Sequence, residues 1–185
     1  MKSNFDSSNL DDFFIEFKKL TEEYWKHIKN NPMIFGFQFQ AGTRWNPGLS
    51  DIEIAEYEKE LEVQFPYDYK QMLHFMNGTN FPTLNNYGSS GHPHTTSVGF
   101  YSYPRDIDIV KEYIGYVEMD REEINLVLKE DGYELDPEAK LVPIYGHRYV
   151  VCSSDLSKST VLSIEGTDAI VYGDSLENYL LNELQ

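Results

Sequence analysis

The pattern of apolar and polar positions divides the chain into short elements. Within residues 9–30, Phe13, Phe17, Leu20, Tyr24 and Ile28 recur at spacings of three and four, which predicts a helix that Asn30-Asn31-Pro32 ends. In MIFGFQFQ, Phe35, Phe37 and Phe39 alternate with Gly36, Gln38 and Gln40, the period of a strand with one buried face. The loop AGTRWNPG leads to Ser50, which with Glu53 makes a capping box for a helix over 51–63. Ile54, Tyr57, Leu61 and Phe65 share one side; Glu53, Glu56, Lys59 and Glu60 share the other. Glu58 falls on the apolar side, where an ionised carboxylate needs partners.

Phe65-Pro66 starts a second helix, with Pro66 expected in its first turn. Tyr69, Met72, Leu73 and Met76 form its inner stripe, and Asn77-Gly78 stops it. Residues 78–94, rich in Gly, Asn and Ser, predict a long loop, and 95–101 a strand. Pro104 opens a helix carrying Ile107, Val110, Ile114 and Val117. Asp120 with Glu123 is another capping signal, ahead of Ile124, Val127 and Leu128, and Gly132 is the stop. Strands are predicted at about 141–144, 148–152, 160–164 and 169–172. Asp174 and Glu177 begin a closing helix with Leu176, Tyr179, Leu180 and Leu184. The short connections after Leu141 favour antiparallel pairing. The expected class is α+β, a mostly antiparallel sheet with helices packed on one face.

Composition sharpens this picture. Fourteen Tyr and eleven Phe predict a core built from large rings, with hydroxyls reaching its edge. With 31 acidic and 15 basic residues, the net charge of -16 disfavours nucleic acid and anionic membranes and favours basic partners. Solubility alone is the competing explanation for that charge. Cys152 is the sole cysteine, so no internal disulfide forms, which fits a reducing cytosol. The N-terminal stretch lacks the apolar core of a signal peptide, and no apolar run reaches membrane-spanning length, so the expected location is cytoplasmic.

Residues 49–78, LSDIEIAEYEKELEVQFPYDYKQMLHFMNG, resemble the signature of the SUKH superfamily. The matching positions are Ile54, Glu58, Leu61, Val63, Phe65, Pro66, Tyr69, Phe75, Asn77 and Gly78. Phe65 stands where the family usually has Leu. LVPIYGHRYVVCSSD at 141–155 is similar to the family's strand-Gly-strand segment, with Gly146 at the turn, and VLSIEG and DSLENYLLNEL are similar to its closing strand and helix. The resemblance covers roughly 45–185, leaving 1–44 as an N-terminal helix-and-strand extension packed on the domain. It implies a sheet flanked by helices and no established catalysis. Bacterial members are mostly immunity proteins encoded beside polymorphic toxins, many of them nucleases or deaminases; others act as interaction modules in cell-wall synthesis and signalling.

The candidate chemistry is thin. Structural use of Glu58, through backbone amides of a neighbouring loop, is favoured over ligand contact. His92-Pro93-His94, His74 and His147 show no metal-ligand spacing, so no metal or cofactor is expected. Tyr145-Gly146-His147-Arg148-Tyr149 reads as a turn ahead of a ligand site. None of Ser89, Ser90, Ser153, Ser154 or Ser163 lies in a hydrolase motif, and Cys152 reads as a buried small residue. Acids crowd 51–68, seven against Lys59 alone, and 118–138, nine against Arg121 and Lys129. A solvated helix face explains such runs equally well. The expected function is therefore neutralisation of a basic protein toxin by binding, without turnover and without a small-molecule substrate. Its expected contacts are Glu53, Glu56, Glu60, Glu122 and Glu123, with Trp45, Tyr87 and Tyr101 as aromatic anchors. An intracellular scaffold is the alternative, and a hydrolase or metal enzyme using His92 and His94 is a third.

Overall fold

Asn9 sits in extended backbone and accepts the Asp12 amide through its side chain (2.9 Å), which starts α1 at Leu10. The computed structural model describes residues 9–34, 36–86, 95–157 and 159–183. α1 (Leu10–Trp25) ends five residues before the expected stop, because the Trp25 carbonyl is taken by the Gly42 amide (2.9 Å) and the chain turns away. Its buried stripe is Phe13, Phe14, Phe17, Thr21 and Trp25, rotated from the expected one so that Tyr24 faces solvent. Thr21 is tolerated there because its hydroxyl donates to the Phe17 carbonyl (2.8 Å) and accepts from the Trp45 indole (2.8 Å).

α2 (Asp51–Leu61) has the expected capping box, with Ser50 accepting the Glu53 amide and Glu53 accepting the Ser50 amide. It stops two residues early, at Glu62, which adopts the left-handed conformation (φ 52°). α3 (Tyr67–Phe75) has Pro66 as its N-cap, one position before the expected first turn. Its first amide, on Tyr67, is satisfied by the Leu156 carbonyl (2.8 Å). α4 (Ile107–Met119) and α5 (Arg121–Glu130) share Asp120 as the C-cap of one and the N-cap of the other. That double duty leaves Asp120 outside the extended cap conformation, and the expected Asp120–Glu123 capping bond does not form.

β1 (Gly36–Gln38), β2 (Thr83–Asn86) and β3 (Thr95–Ser97) make one antiparallel sheet, and β4 (Lys140–Tyr145), β5 (Arg148–Cys152), β6 (Val161–Glu165) and β7 (Asp168–Gly173) a second, in sequential order. α6 (Leu176–Glu183) closes the described chain. β2 lies inside the expected 78–94 loop; its TLNN sequence has no apolar alternation to reveal it. Phe100 bridges to Tyr145, and the Tyr101 amide donates to the Ile144 carbonyl (3.1 Å), which links the two sheets.

The α+β class and antiparallel pairing are as expected. The second sheet, however, is covered on both faces rather than one. Val142, Ile144, Val150, Cys152 and Val161 point into the main core with α1, α2, α3 and α6. Leu141, Tyr149, Val151, Leu162 and Ala169 point the other way, into a second core closed by Val117 of α4 and Ile124 and Leu128 of α5. The near-continuous apolar runs of β4 and β5 are the sequence mark of strands buried on both sides.

Candidate docking surface

The signature residues serve the junction between helices and sheet. The Glu58 carboxylate, only 16% exposed, accepts the Phe65 amide (2.6 Å) and pairs with Lys70 Nζ (2.7 Å). The turn from α2 to α3 is thus held by an anion its own helix supplies. Pro66 is buried at the head of α3, and the buried Tyr69 hydroxyl meets that of Tyr57. Asn77 clamps the backbone of Tyr103 at both ends, accepting its amide (2.9 Å) and donating to its carbonyl (2.6 Å). Gly78, at φ 67°, lies so close to the 100–101 backbone that a Cβ would come within 2.5 Å of the Tyr101 carbonyl oxygen. Gly146, at φ 51°, forms the Tyr145–Arg148 turn.

The expected contact residues separate. Trp45 is 5% exposed and Tyr101 8%, so neither presents a ring to a partner: Trp45 packs against Phe17, Trp25 and Phe100, and the Tyr101 hydroxyl donates to the Gly146 carbonyl (3.1 Å). Large rings next to loops were absorbed by the core, where they bury the most apolar area. Tyr87 and the His92-Pro93-His94 segment lie outside the described residues. Glu53 is engaged in its capping box, and Glu60 accepts the Tyr103 hydroxyl (2.9 Å) and pairs with Lys111 of α4 (3.0 Å). Glu56, Glu122 and Glu123 stand in solvent. Among the described residues, no three His, Cys, Asp or Glu side chains converge to hold a metal ion, and no helix is long and apolar enough to cross a membrane. The Cys152 thiol is buried in β5, and burial pushes its pKa far above the ordinary thiol range.

A groove of about 460 Å³ runs between α4 and the β4–β5 and β6–β7 turns. Tyr113, Tyr116 and Met119 of α4 form one wall, and Phe37, His147 and Tyr149 the other. Asp120 and Glu165 add carboxylates, and Tyr116 donates its hydroxyl to Glu112 (2.5 Å). Tyr113 packs edge-on to Tyr116 and tilted against Tyr101, so the α4 rings are held by neighbours. Burial pushes the Tyr149 pKa up to about 12. Burial, then the Arg148 cation, lowers the His147 pKa, with Glu165 opposing.

The YGHRY cluster therefore splits. Gly146, His147 and Tyr149 line the groove, while Arg148 turns to the other face, 4.0 Å above the Tyr172 ring and bonded to Ser163 and Glu183. Sequence reasoning missed Tyr113, Tyr116 and Met119. Their three-residue spacing, off the Ile107–Val117 stripe, was the available signal.

His147 yields a pH prediction. Its folded pKa lies below the usual 6.5, so the unfolded chain takes up the proton first as pH falls. Stability should drop as pH falls from 6.5 through the folded pKa. His147→Gln should flatten that part of a denaturation midpoint-versus-pH profile; an unchanged profile would show that the ring does not titrate differently on folding.

α2, bolted by Glu58 to the head of α3, and the four-stranded antiparallel meander belong to an α+β domain. A family model described as SUKH_6, SMI1-KNR4 cell-wall, matches residues 51–180, and the chain belongs to that family. No curated protein and no solved structure matches it.

Proposed function

We propose that this domain is a non-enzymatic protein-binding module, and specifically a cytoplasmic bacterial immunity protein that neutralises a cognate, basic, nuclease-type toxin by stoichiometric binding. The carrying observation is the exposure of Glu56 on α2 and of Glu122 and Glu123 on α5, in a chain of net charge -16. A nuclease must present Lys and Arg to phosphates, so an acidic protein seated on that surface blocks substrate. Complementary fields also speed encounter. Family membership supports the same reading. Glu53 and Glu60 join the contact set from α2, with part of their charge committed inside the domain. No cofactor, nucleic acid, membrane or small-molecule substrate enters this scheme.

The test is co-expression with the product of the neighbouring gene. That product alone should arrest growth, and this chain should restore it. A neighbouring product that is harmless, or an arrest the chain leaves in place, would overturn the reading. In a complex so recovered, E56Q/E122Q/E123Q should slow association about tenfold at low salt and make its salt dependence shallower, measured by stopped flow.

The cell-wall description of the matching family favours a second reading, an intracellular scaffold or regulator of cell-wall synthesis or signalling. It predicts several partners and an altered wall on gene deletion, with no toxin to counter.

A further inference from the structure

The groove beside α4 has a character of its own. Tyr113 and Tyr116 offer fixed aromatic faces, and Met119, 81% exposed at the end of α4, leaves apolar surface open to solvent. Asp120 and Glu165 stand in its lining, with Glu112 at the Tyr116 hydroxyl, and no lysine or arginine among the described residues lines it. The His147 ring opposite prefers its neutral form. The site thus combines aromatic faces with carboxylates.

We propose that this groove seats an arginine side chain of a basic partner protein, its guanidinium stacked on the more exposed Tyr116 ring, beside Tyr113, and paired with Asp120 or Glu165. This rests on the reading of the domain as a binder of cationic proteins, and it names the seat. Arginine fits better than lysine because a planar guanidinium stacks on a ring and forks onto a carboxylate at once, whereas an ammonium is a compact, strongly hydrated point charge. The stem of the incoming side chain lies along Met119 and Phe37, which removes apolar surface from water.

The probe is a blocked, glycine-flanked peptide with three alternating arginines, titrated into the ¹⁵N-labelled full chain, with lysine and leucine versions alongside. The arginine peptide should shift amides of 113–120, 146–149 and 164–166, and bind several-fold tighter than the lysine peptide. Tyr116→Ser and Glu165→Gln, on separate elements and both at the surface, should each weaken it about fivefold, the scale of one exposed cation–π or ion pair. Shifts spread over α2 and α5 instead, equal binding of the leucine peptide, or unchanged affinity in both variants would overturn the proposal. Failure of growth rescue by the unmodified chain would overturn the toxin reading and leave the peptide result standing. Undiminished rescue by Tyr116→Ser/Glu165→Gln would overturn the groove and leave that reading intact.

Discussion

Trp45→Ala is expected to cost about 4 kcal/mol of unfolding free energy, the scale for a large ring removed from a close-packed core. The side chain is 5% exposed and lies among the rings of Phe17, Trp25 and Phe100. The substitution also leaves the Thr21 hydroxyl without its indole donor. The backbone here is tied to α1 as well, since the Trp45 amide donates to Glu22 (3.1 Å). Trp45 is therefore a joint between α1 and the rest of the chain. Urea denaturation of the variant should show a much lower midpoint, and Trp45→Phe should recover part of the loss. A Trp45→Ala protein of unaltered stability would mean that the ring is not a core element. The same contacts tie α1 to the segment that follows residue 44. We propose that the segment before residue 45 is a packed extension: among its described residues Phe13, Phe14, Phe17 and Trp25 enter the main core, and removing them should expose that core.

Asp68→Ala is the second large effect. Asp68 is 4% exposed at the head of α3 and accepts the Ser159 amide (3.0 Å), the Ser159 hydroxyl (2.5 Å) and the Tyr69 amide (2.9 Å). These bonds pin the segment before β6 to α3 across more than ninety positions of sequence. Alanine leaves two amides and a hydroxyl buried without their acceptor, an expected loss of about 3 kcal/mol. Asparagine keeps one acceptor oxygen and should lose less. It should also relax Glu177, whose carboxyl is held above its usual range by burial and then by the Asp68 charge. Thermal unfolding gives the stability order wild type, Asp68→Asn, Asp68→Ala. NMR titration of the Glu177 carboxyl should show a lower pKa in Asp68→Asn. If that pKa stayed put and all three proteins melted together, the buried network would carry no weight.

The helices over 51–75 were legible because their signals are local. A capping box, a proline and a left-handed stop each depend on residues within one or two turns. The misfit of Glu58 on an apolar face was legible for the same reason, since a carboxylate there demands partners, and the Phe65 amide and Lys70 are those partners. β2 was not legible, because Thr83–Asn86 forms a strand only when β1 and β3 arrive on either side of it. The cap at Asp120 was misread because two helices meet there and compete for one residue.

The aromatic anchors were the weakest part of the reading. Tyrosine and tryptophan suit a core and an interface equally well, and neighbouring loop residues do not distinguish the two. Trp45 and Tyr101 went inward, while Tyr113 and Tyr116, spaced as a second stripe on α4, stayed at the surface.

By itself, then, the sequence determined the element types apart from β2, the antiparallel order after Leu141, the acidic character and the family, since all of these are set by local pattern or by composition. The tertiary structure alone decided which rings are buried, that both faces of the second sheet are covered, and that α4 and two distant turns enclose one groove. Those outcomes depend on contacts between residues far apart in the chain, and burial at any one position is settled by what the rest of the molecule brings against it.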